Sequence, residues 1–232
     1  MRKTTGCARC RQRGYDGITI DDIILTEIRY EVTIFMNGEL MRDILAYHVV
    51  FCTYGFWLPN DPRGSWSERV FAVALQPFGE ATKVNTRHSR AHDQHDHQKR
   101  WEAKKHLMFP PVRLTGQQAL VVSQAMADVV AEIQLAVYAC CIMLDHVHFV
   151  MPPHERSKEA IVQYFKSAAT KRLNERRLHP LENQRSPWSR SFWDVYLHTE
   201  EQILRAVQYI NNNPIKEGYK PQNWRFVTPY VP

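Results

Sequence analysis

Runs of apolar residues predict three β-strands in this chain. The first covers Ala46 to Tyr54 and ends at a loop rich in Pro, Asn and Gly, which is typical of a strand boundary. Two more runs, Leu135 to Met143 and His146 to Met151, are too continuously apolar and too rich in strand-forming residues for surface helices. Because only two residues separate these runs, we expect adjacent central strands or one strand with a break.

The helical spacing of apolar residues predicts three helices after the first strand. Thr115 and Thr199 can each begin a capping box with a glutamine three residues later, and Ser157 can cap the helix between them. The last helix is expected to end near Asn213, because Pro214 disfavours helical geometry in the residue before it.

This order of elements favours an α+β fold, a ferredoxin-like or RRM-like antiparallel sheet with helices packed on one face. A chain of 232 residues is long enough for one full-size core. We therefore expect one domain over residues 44–232. Residues 1–43 are predicted to be an N-terminal appendage that is poorly ordered.

A long polar insertion is expected within the domain, at residues 67–111. Its middle lacks periodicity and carries four histidines among charged residues: His88, His92, His95 and His97. A polar run has no fixed geometry for metal ligands, so a solvated loop is favoured over a metal site. We expect the segment from Arg87 to Arg100 to be mobile and dispensable for the chemistry, because few apolar residues offset its ordering entropy.

Charge narrows the choice of partner. The 30 Lys and Arg residues against 24 Asp and Glu give a formal net charge of +6, which favours a polyanion such as nucleic acid. Most of the excess lies between Glu155 and Arg190. No apolar run approaches the roughly 18 residues of a membrane span, and no secretory signal is visible. A soluble cytoplasmic protein with reduced cysteines and no membrane partner is therefore expected.

A pair of histidines stands out in the last predicted strand. His146 and His148 flank Val147, so both imidazoles lie on one strand face, about 7 Å apart at the Cα atoms. Such a pair can chelate one cation, although the pattern also occurs by chance on solvated strands. Tyr209 and Asn213 lie one turn apart at the border of the last helix, where a tyrosine can simply pack.

Three motifs in this order resemble the single-tyrosine HUH transposases, and among them the REP-associated tyrosine transposases. They are TYGFWLPNDPRG at 53–64, DHVH at 145–148, and YINNNPIKEG at 209–218. A shorter matching run, RSFWD at 190–194, precedes the last of them. The resemblance covers residues from about 46 to 229. It leaves out the N-terminal appendage and the histidine-rich insertion.

The resemblance implies the HUH endonuclease fold and a metal-dependent single-stranded DNA endonuclease and strand transferase. Such an enzyme acts in DNA transposition or at repeated hairpin elements through a 5′-phosphotyrosine intermediate. By the same resemblance Tyr209 is the nucleophile, and His146, His148 and Asn213 hold Mg²⁺ or Mn²⁺. The implied partner is single-stranded DNA, as a hairpin with a single-stranded flank. The implied protein is a monomer or homodimer associated with the bacterial nucleoid.

Other residues compete for these roles or support them. Tyr164 and Tyr196 are alternative nucleophiles, but Ala168 follows Tyr164 one turn on, and Tyr196 lies in a β-like stretch. DNA phosphates are expected to be contacted by four basic residues: Lys166, Lys171, Arg172 and Arg190.

The alternative function is a non-catalytic, single-stranded nucleic-acid-binding module of RRM-like fold. That reading needs exposed aromatic residues on the strand face, where this sequence has His146 and His148 instead.

Overall fold

The computed structural model describes residues 43–65, 67–84, 94–182 and 185–232. The predicted N-terminal appendage lies outside them, as do His88 and His92 of the insertion. The described elements are β1 (Ala46–Thr53), a 3₁₀ helix (Val73–Phe78), α1 (His97–Lys105), α2 (Gly116–Glu132), β2 (Ala139–Ile142), β3 (His146–Met151), α3 (Lys158–Glu175), β4 (Trp188–Leu197) and α4 (Glu200–Lys216).

The four strands form one sheet in the order β2-β3-β1-β4, and each strand is antiparallel to its neighbours. Val50 of β1 lies opposite His148 on one side and Trp193 on the other. The predicted antiparallel α+β sheet is therefore confirmed. Strand β4 was not among the predicted strands, although the stretch around Tyr196 is β-like, because the polar residues from Ser189 to Ser191 interrupt its apolar residues at the edge of the sheet.

Helices cover both faces of this sheet. Val49 and Phe51 of β1 point toward α2 and α3, where they form the larger core with residues of β3. The other face carries a second core, in which Ala46 and Val150 pack near Ile203 of α4. Helices α2 and α3 thus share one face as predicted, but α4 lies on the opposite one. This position puts α4 over the strand face that carries His146 and His148, since side chains alternate along a strand.

Both predicted capping boxes, at Thr115 and Thr199, are present, and Ser157 caps α3. The expected end of the last helix at Asn213 is wrong, because α4 continues through Pro214 to Lys216. A proline lacks one helical N–H donor, but Pro214 is buried on the inner face of α4, so packing offsets that loss. Asn213 therefore keeps its helical position one turn after Tyr209.

The insertion contains more structure than expected. Asp96 caps α1 by accepting a hydrogen bond from the Lys99 backbone N–H at 2.8 Å. Ala103 of this helix packs with Leu58 and Leu75 in a third small core. The prediction that the segment from Arg87 to Arg100 is mobile is therefore wrong for residues 94–100, and residues 94–111 fold against the loop that follows β1.

A side chain closes one edge of the sheet. The Gln222 amide accepts from the Ile142 backbone N–H at 2.8 Å and donates to the Ile142 carbonyl at 2.9 Å. It therefore occupies the hydrogen-bonding groups that β2 would offer to a further strand. Among the described helices, none has the length and apolar character needed to cross a membrane.

Candidate active site

The two predicted ligand histidines lie side by side on β3, beneath α4. His148 is 7 % exposed and His146 is half-buried, and their ring centroids are 4.7 Å apart. The ring planes are nearly perpendicular, at 84°. The pair therefore forms a compact cluster and not two solvated side chains.

Helix α4 brings the other two predicted residues to this pair. The Asn213 Nδ2 atom lies 3.4 Å from His148 Nε2, and the Tyr209 ring centroid lies 5.6 Å from that of His148. Lys216, near the end of the same helix, has its Nζ atom 5.3 Å from the centre of the Tyr209 ring. The fold thus assembles Tyr209, His146, His148 and Asn213 in one place.

An aspartate holds His146 in place. The Asp145 Oδ1 atom is 2.7 Å from His146 Nδ1, so the Nδ1–H donates and the ring lone pair is on Nε2. Burial alone would raise the pKa of Asp145, but the hydrogen bond and electrostatic attraction of His146, with Arg113 and Lys104 nearby, lower it below its usual value. Asp145 is therefore a charged acceptor at neutral pH.

A third histidine, which sequence reasoning missed, contacts His148. His48 of β1 is 2 % exposed, and its Nε2 atom lies 3.0 Å from His148 Nδ1. Burial lowers the pKa of His48 to about 3, and burial with the neighbouring His146 and His48 lowers that of His148 well below its usual value. Both rings are neutral at pH 7, the form in which imidazole binds metals. In the sequence, the only sign of a role for His48 is that it is a polar residue within an apolar strand.

The loop after β1 closes the site from the side. The Phe56 ring stacks on His146, with centroids 5.4 Å apart and planes 27° apart. The Phe56 carbonyl accepts hydrogen bonds from Arg100 at 3.2 Å and from Lys104 at 3.1 Å. Residues of α1 therefore fix the backbone of the residue that covers His146.

The same loop is anchored by a fully buried carboxylate. Asp61 accepts from Arg63 Nε at 2.8 Å and Nη2 at 3.0 Å, and from Arg100 Nε at 3.0 Å. Burial would raise the pKa of Asp61, but its hydrogen bonds and ion pairs with the two arginines lower it. Arg63 also lies 3.8 Å from the centre of the Trp57 ring. The loop and α1 thus form one charge-paired unit beside the site.

Comparison with known proteins agrees with this geometry. Residues 99–213 match the family model described as "Transposase IS200 like". Over these residues the chain is similar to the IS200-like transposases. The matched segment contains His146, His148, Tyr209 and Asn213, and it leaves out His48 on β1.

Two individual proteins resemble this chain. A Haemophilus influenzae protein named "Putative REP-associated tyrosine transposase" is 27% identical over 88 residues, which is 35% of this chain and 50% of the relative. The chain thus spans about half the length of that curated relative. A solved structure of a REP-associated tyrosine transposase bound to a REP hairpin is 11% identical, with a TM-score of 0.43 over 82% of this chain and 76% of that chain.

The described residues include a donor set that could hold a divalent cation. His146 and His148 are each contacted at Nδ1, which leaves Nε2 of each ring for another partner, and Nε2 of His148 lies 3.4 Å from the Asn213 amide. Rotation of the Asn213 amide, whose Nδ2 faces His148 Nε2 here, would turn its oxygen toward a bound cation as third ligand. In the described part of the chain, no group of three or more His, Cys, Asp or Glu side chains is arranged to hold a metal. Two imidazoles and one amide remain as donors here, and this mixture of nitrogen and oxygen donors suits Mn²⁺ better than Mg²⁺.

Lys166 does not serve as the predicted phosphate contact. It is 4 % exposed, and its ammonium donates to the carbonyls of Ser189, Arg190 and Ser191 at 2.9, 3.4 and 3.1 Å. Burial lowers the pKa of Lys166 to about 8. This lysine joins α3 to β4, so its three donors are used inside the fold.

The remaining basic candidates lie away from the histidines. Lys171 and Arg172 belong to α3, on the opposite face of the sheet, where Arg172 pairs with Asp128 and Lys171 lies 3.9 Å from Glu175. Arg190 is exposed on the edge strand β4. Their positions do not support direct contact with DNA at the site, and sequence alone could not assign them to a face.

The two competing tyrosines also lie on the α3 side. The Tyr164 hydroxyl donates to Glu132 of α2, and the Tyr196 hydroxyl bonds to Lys158 Nζ at 2.7 Å. Neither is close to His146 or His148. Of these three tyrosines, only Tyr209 is brought to the histidine pair.

Proposed function

We propose that this chain cleaves and rejoins single-stranded DNA, with the Tyr209 hydroxyl as nucleophile. One observation supports this most strongly: α4 holds Tyr209 and Asn213 over the face that carries His146 and His148, with ring centroids of Tyr209 and His148 5.6 Å apart. A nucleophile next to two neutral imidazoles and an amide is suited to attack on a metal-bound phosphodiester.

The proposed reaction is an exchange of one phosphodiester for another. The Tyr209 oxygen forms a bond to phosphorus and loses its proton to solvent, while the 3′ oxygen of the preceding nucleotide leaves and takes up a proton. The DNA 5′ end then remains on Tyr209 as a phosphotyrosine. Because the energy of the broken linkage is kept, a 3′-hydroxyl can reverse the step without ATP.

The residues of the chain have distinct tasks in this reaction. His146, His148 and Asn213 would hold a divalent cation, which when bound withdraws charge from a non-bridging phosphate oxygen and orients the phosphate. Asp145 orients His146 through the 2.7 Å hydrogen bond. Lys216 adds a positive charge 5.3 Å from the ring centre of the nucleophile.

We place the DNA phosphates along basic residues on the histidine side and not along α3. Lys104 and Arg113 both act electrostatically on Asp145, next to His146, and Arg113 is exposed. Burial, with the charge of Arg100, lowers the pKa of Lys104 to about 8. Trp57 is 36% exposed beside them and offers a ring on which a base can stack.

A DNA hairpin with a single-stranded flank is the proposed substrate form. The motifs that resemble the REP-associated branch support it. The competing function, a non-catalytic RRM-like module, binds single strands on an open sheet face. Here α4 packs on that face, as the contacts of Ile203 and Ile210 indicate, so no observation favours the competing function.

The experiment is incubation of a 3′-labelled hairpin oligonucleotide with the protein and Mn²⁺, followed by denaturing gel electrophoresis. We expect a label that migrates with the protein, its loss in Tyr209→Phe, and its persistence in the matched control Tyr164→Phe. Normal folding and DNA binding by Tyr209→Phe should accompany the loss. An adduct that survives in Tyr209→Phe would contradict the proposal.

A further inference from the structure

We propose that His48 is a positioning residue that fixes the tautomer of His148, so that the lone pair of His148 Nε2 faces Asn213 and Tyr209. This inference deepens the proposed function and rests on it only for the role of His148 as a ligand of a divalent cation. His48 lies outside the segment that matches the transposase family model.

The contact between the two rings is short and shielded from water. His48 Nε2 and His148 Nδ1 are 3.0 Å apart, and the two side chains belong to residues that are 2 % and 7 % exposed. A hydrogen bond between two neutral imidazoles uses one proton, so one nitrogen of this pair donates and the other accepts. The direction of this bond decides which nitrogen of His148 carries the ring proton.

The surroundings of His148 favour one direction. If His148 Nδ1–H donates to His48, the lone pair of His148 is on Nε2, where it can accept from the Asn213 Nδ2 atom 3.4 Å away. If His48 donates instead, His148 carries its proton on Nε2, pointing at the amide N–H of Asn213. The first arrangement satisfies both contacts, whereas the second sets two donors against each other.

The neighbouring ligand is held in a corresponding way. His146 also uses Nδ1, in a bond to Asp145 Oδ1 at 2.7 Å. A carboxylate can only accept, so Asp145 fixes the tautomer of His146 unconditionally. His48 gives His148 an acceptor without a charge, at a position that is only 2 % exposed, where burying a charged acceptor would be costly.

The sheet explains why position 48 can do this. His48 lies opposite Val150 in the register of β1 and β3, so it is a diagonal neighbour of His148 on the same face. Val50, directly opposite His148, has no polar atom. His48 also contacts the rings of Trp193 and Tyr209, at centroid distances of 5.9 and 6.0 Å, which hold its own orientation.

Two variants separate positioning from packing. His48→Phe keeps an aromatic ring between Trp193 and Tyr209 but removes the acceptor, and His48→Gln restores an acceptor oxygen near the position of Nε2. The matched control is His154→Phe, which removes a partly buried histidine contact at 3.0 Å to the Ile133 carbonyl, away from the site.

The first measurement is the ¹⁵N NMR tautomer of His148 in the metal-free protein, assigned with His148→Gln. We expect the ring proton of His148 on Nδ1 in the wild type and in His48→Gln. In His48→Phe we expect it on Nε2, or a mixture of the two neutral tautomers. A wild-type His148 protonated on Nε2 would overturn the proposal, even if His48→Phe failed to fold.

The second measurement is Mn²⁺ affinity. His48→Phe is expected to bind about 10–100-fold more weakly than the wild type, the usual effect of losing a partner of a metal-binding histidine. His48→Gln should recover most of the affinity, and His154→Phe should leave it unchanged. Equal affinity of His48→Phe and the wild type would contradict the positioning role.

These results can be told apart from a failure of the proposed function. A tautomer that shifts in His48→Phe supports the role of His48 even if the wild type forms no DNA adduct. If the adduct forms but the tautomer and the Mn²⁺ affinity of His48→Phe equal those of the wild type, the function stands and the role of His48 is wrong.

Discussion

The buried carboxylate of Asp61 connects the loop after β1 to α1. We expect Asp61→Asn to weaken the attachment of the loop to this helix and so to lower the stability of the fold. The substitution removes the negative charge that faces Arg63 and Arg100 while keeping nearly the same shape. Removal of one partner from a buried ion pair costs about 3–5 kcal/mol, because the other charge is left without compensation. Arg63 is 7% exposed at its side chain but Arg100 is 19% exposed, so water can partly solvate the second guanidinium. We therefore expect a loss near the lower end, about 3 kcal/mol.

Urea unfolding followed by tryptophan fluorescence measures this loss as a lower midpoint with an unchanged slope. The matched control is Glu68→Gln, which removes one partner of an exposed pair with Lys83 and should cost less than about 1 kcal/mol. Deletion of residues 87–100 removes Arg100 and should also destabilise the fold, contrary to the expectation of a dispensable insertion. If Asp61→Asn lies within 1 kcal/mol of Glu68→Gln, as an order-of-magnitude limit, the anchoring role is refuted.

Three further predictions concern charge. The folded-state pKa of Asp61 lies below its unfolded value, which is about 3.9. The ionised Asp61 therefore stabilises the fold above pH 3.9, as an approximate unfolded pKa, and this stabilisation is lost as the pH falls through the folded-state pKa. Acid unfolding curves of Asp61→Asn should lack this loss. Arg113→Gln should reduce the salt slope of oligonucleotide affinity by about 0.7, whereas Lys171→Gln on the opposite face should leave it unchanged. Lys166→Met should lower the free energy of unfolding by about 1–3 kcal/mol, because carbonyls lose their donor, without weakening DNA binding in the same titration.

The sequence was most informative where local rules decide the structure. Capping boxes at Thr115 and Thr199 located two helices, because an N-cap depends on residues three positions apart. The strand period put His146 and His148 on one face, and the helical period put Tyr209 and Asn213 on adjacent turns. These four assignments needed no knowledge of the tertiary fold.

Non-local contacts decide the features that sequence patterns missed. Helix α1 has little apolar periodicity, and it is fixed instead by Arg100, which pairs with Asp61 39 residues earlier. A lysine in a basic helix looks the same whether it is solvated or, like Lys166, buried against carbonyls. The side of the sheet on which α4 packs depends on the second core around Val150. The periodicity of apolar residues within α4 does not indicate this side.

His48 illustrates the same limit at the site. A single histidine in an apolar strand has many harmless explanations, and no motif marks it. Its role becomes visible only when β1 pairs with β3 and brings its ring to 3.0 Å from His148.

The central claim is that Tyr209 becomes covalently attached to DNA, and mass spectrometry of the adduct tests it most directly. The wild-type protein is incubated with Mn²⁺ and a hairpin oligonucleotide, the covalent fraction is isolated under denaturing conditions, and the peptides are sequenced after proteolysis and nuclease digestion. The account predicts one modified peptide, with a 5′-phosphate linked to Tyr209. Modification of another residue, such as Tyr164 or Tyr196, or cleavage that leaves no protein-linked DNA, would contradict it.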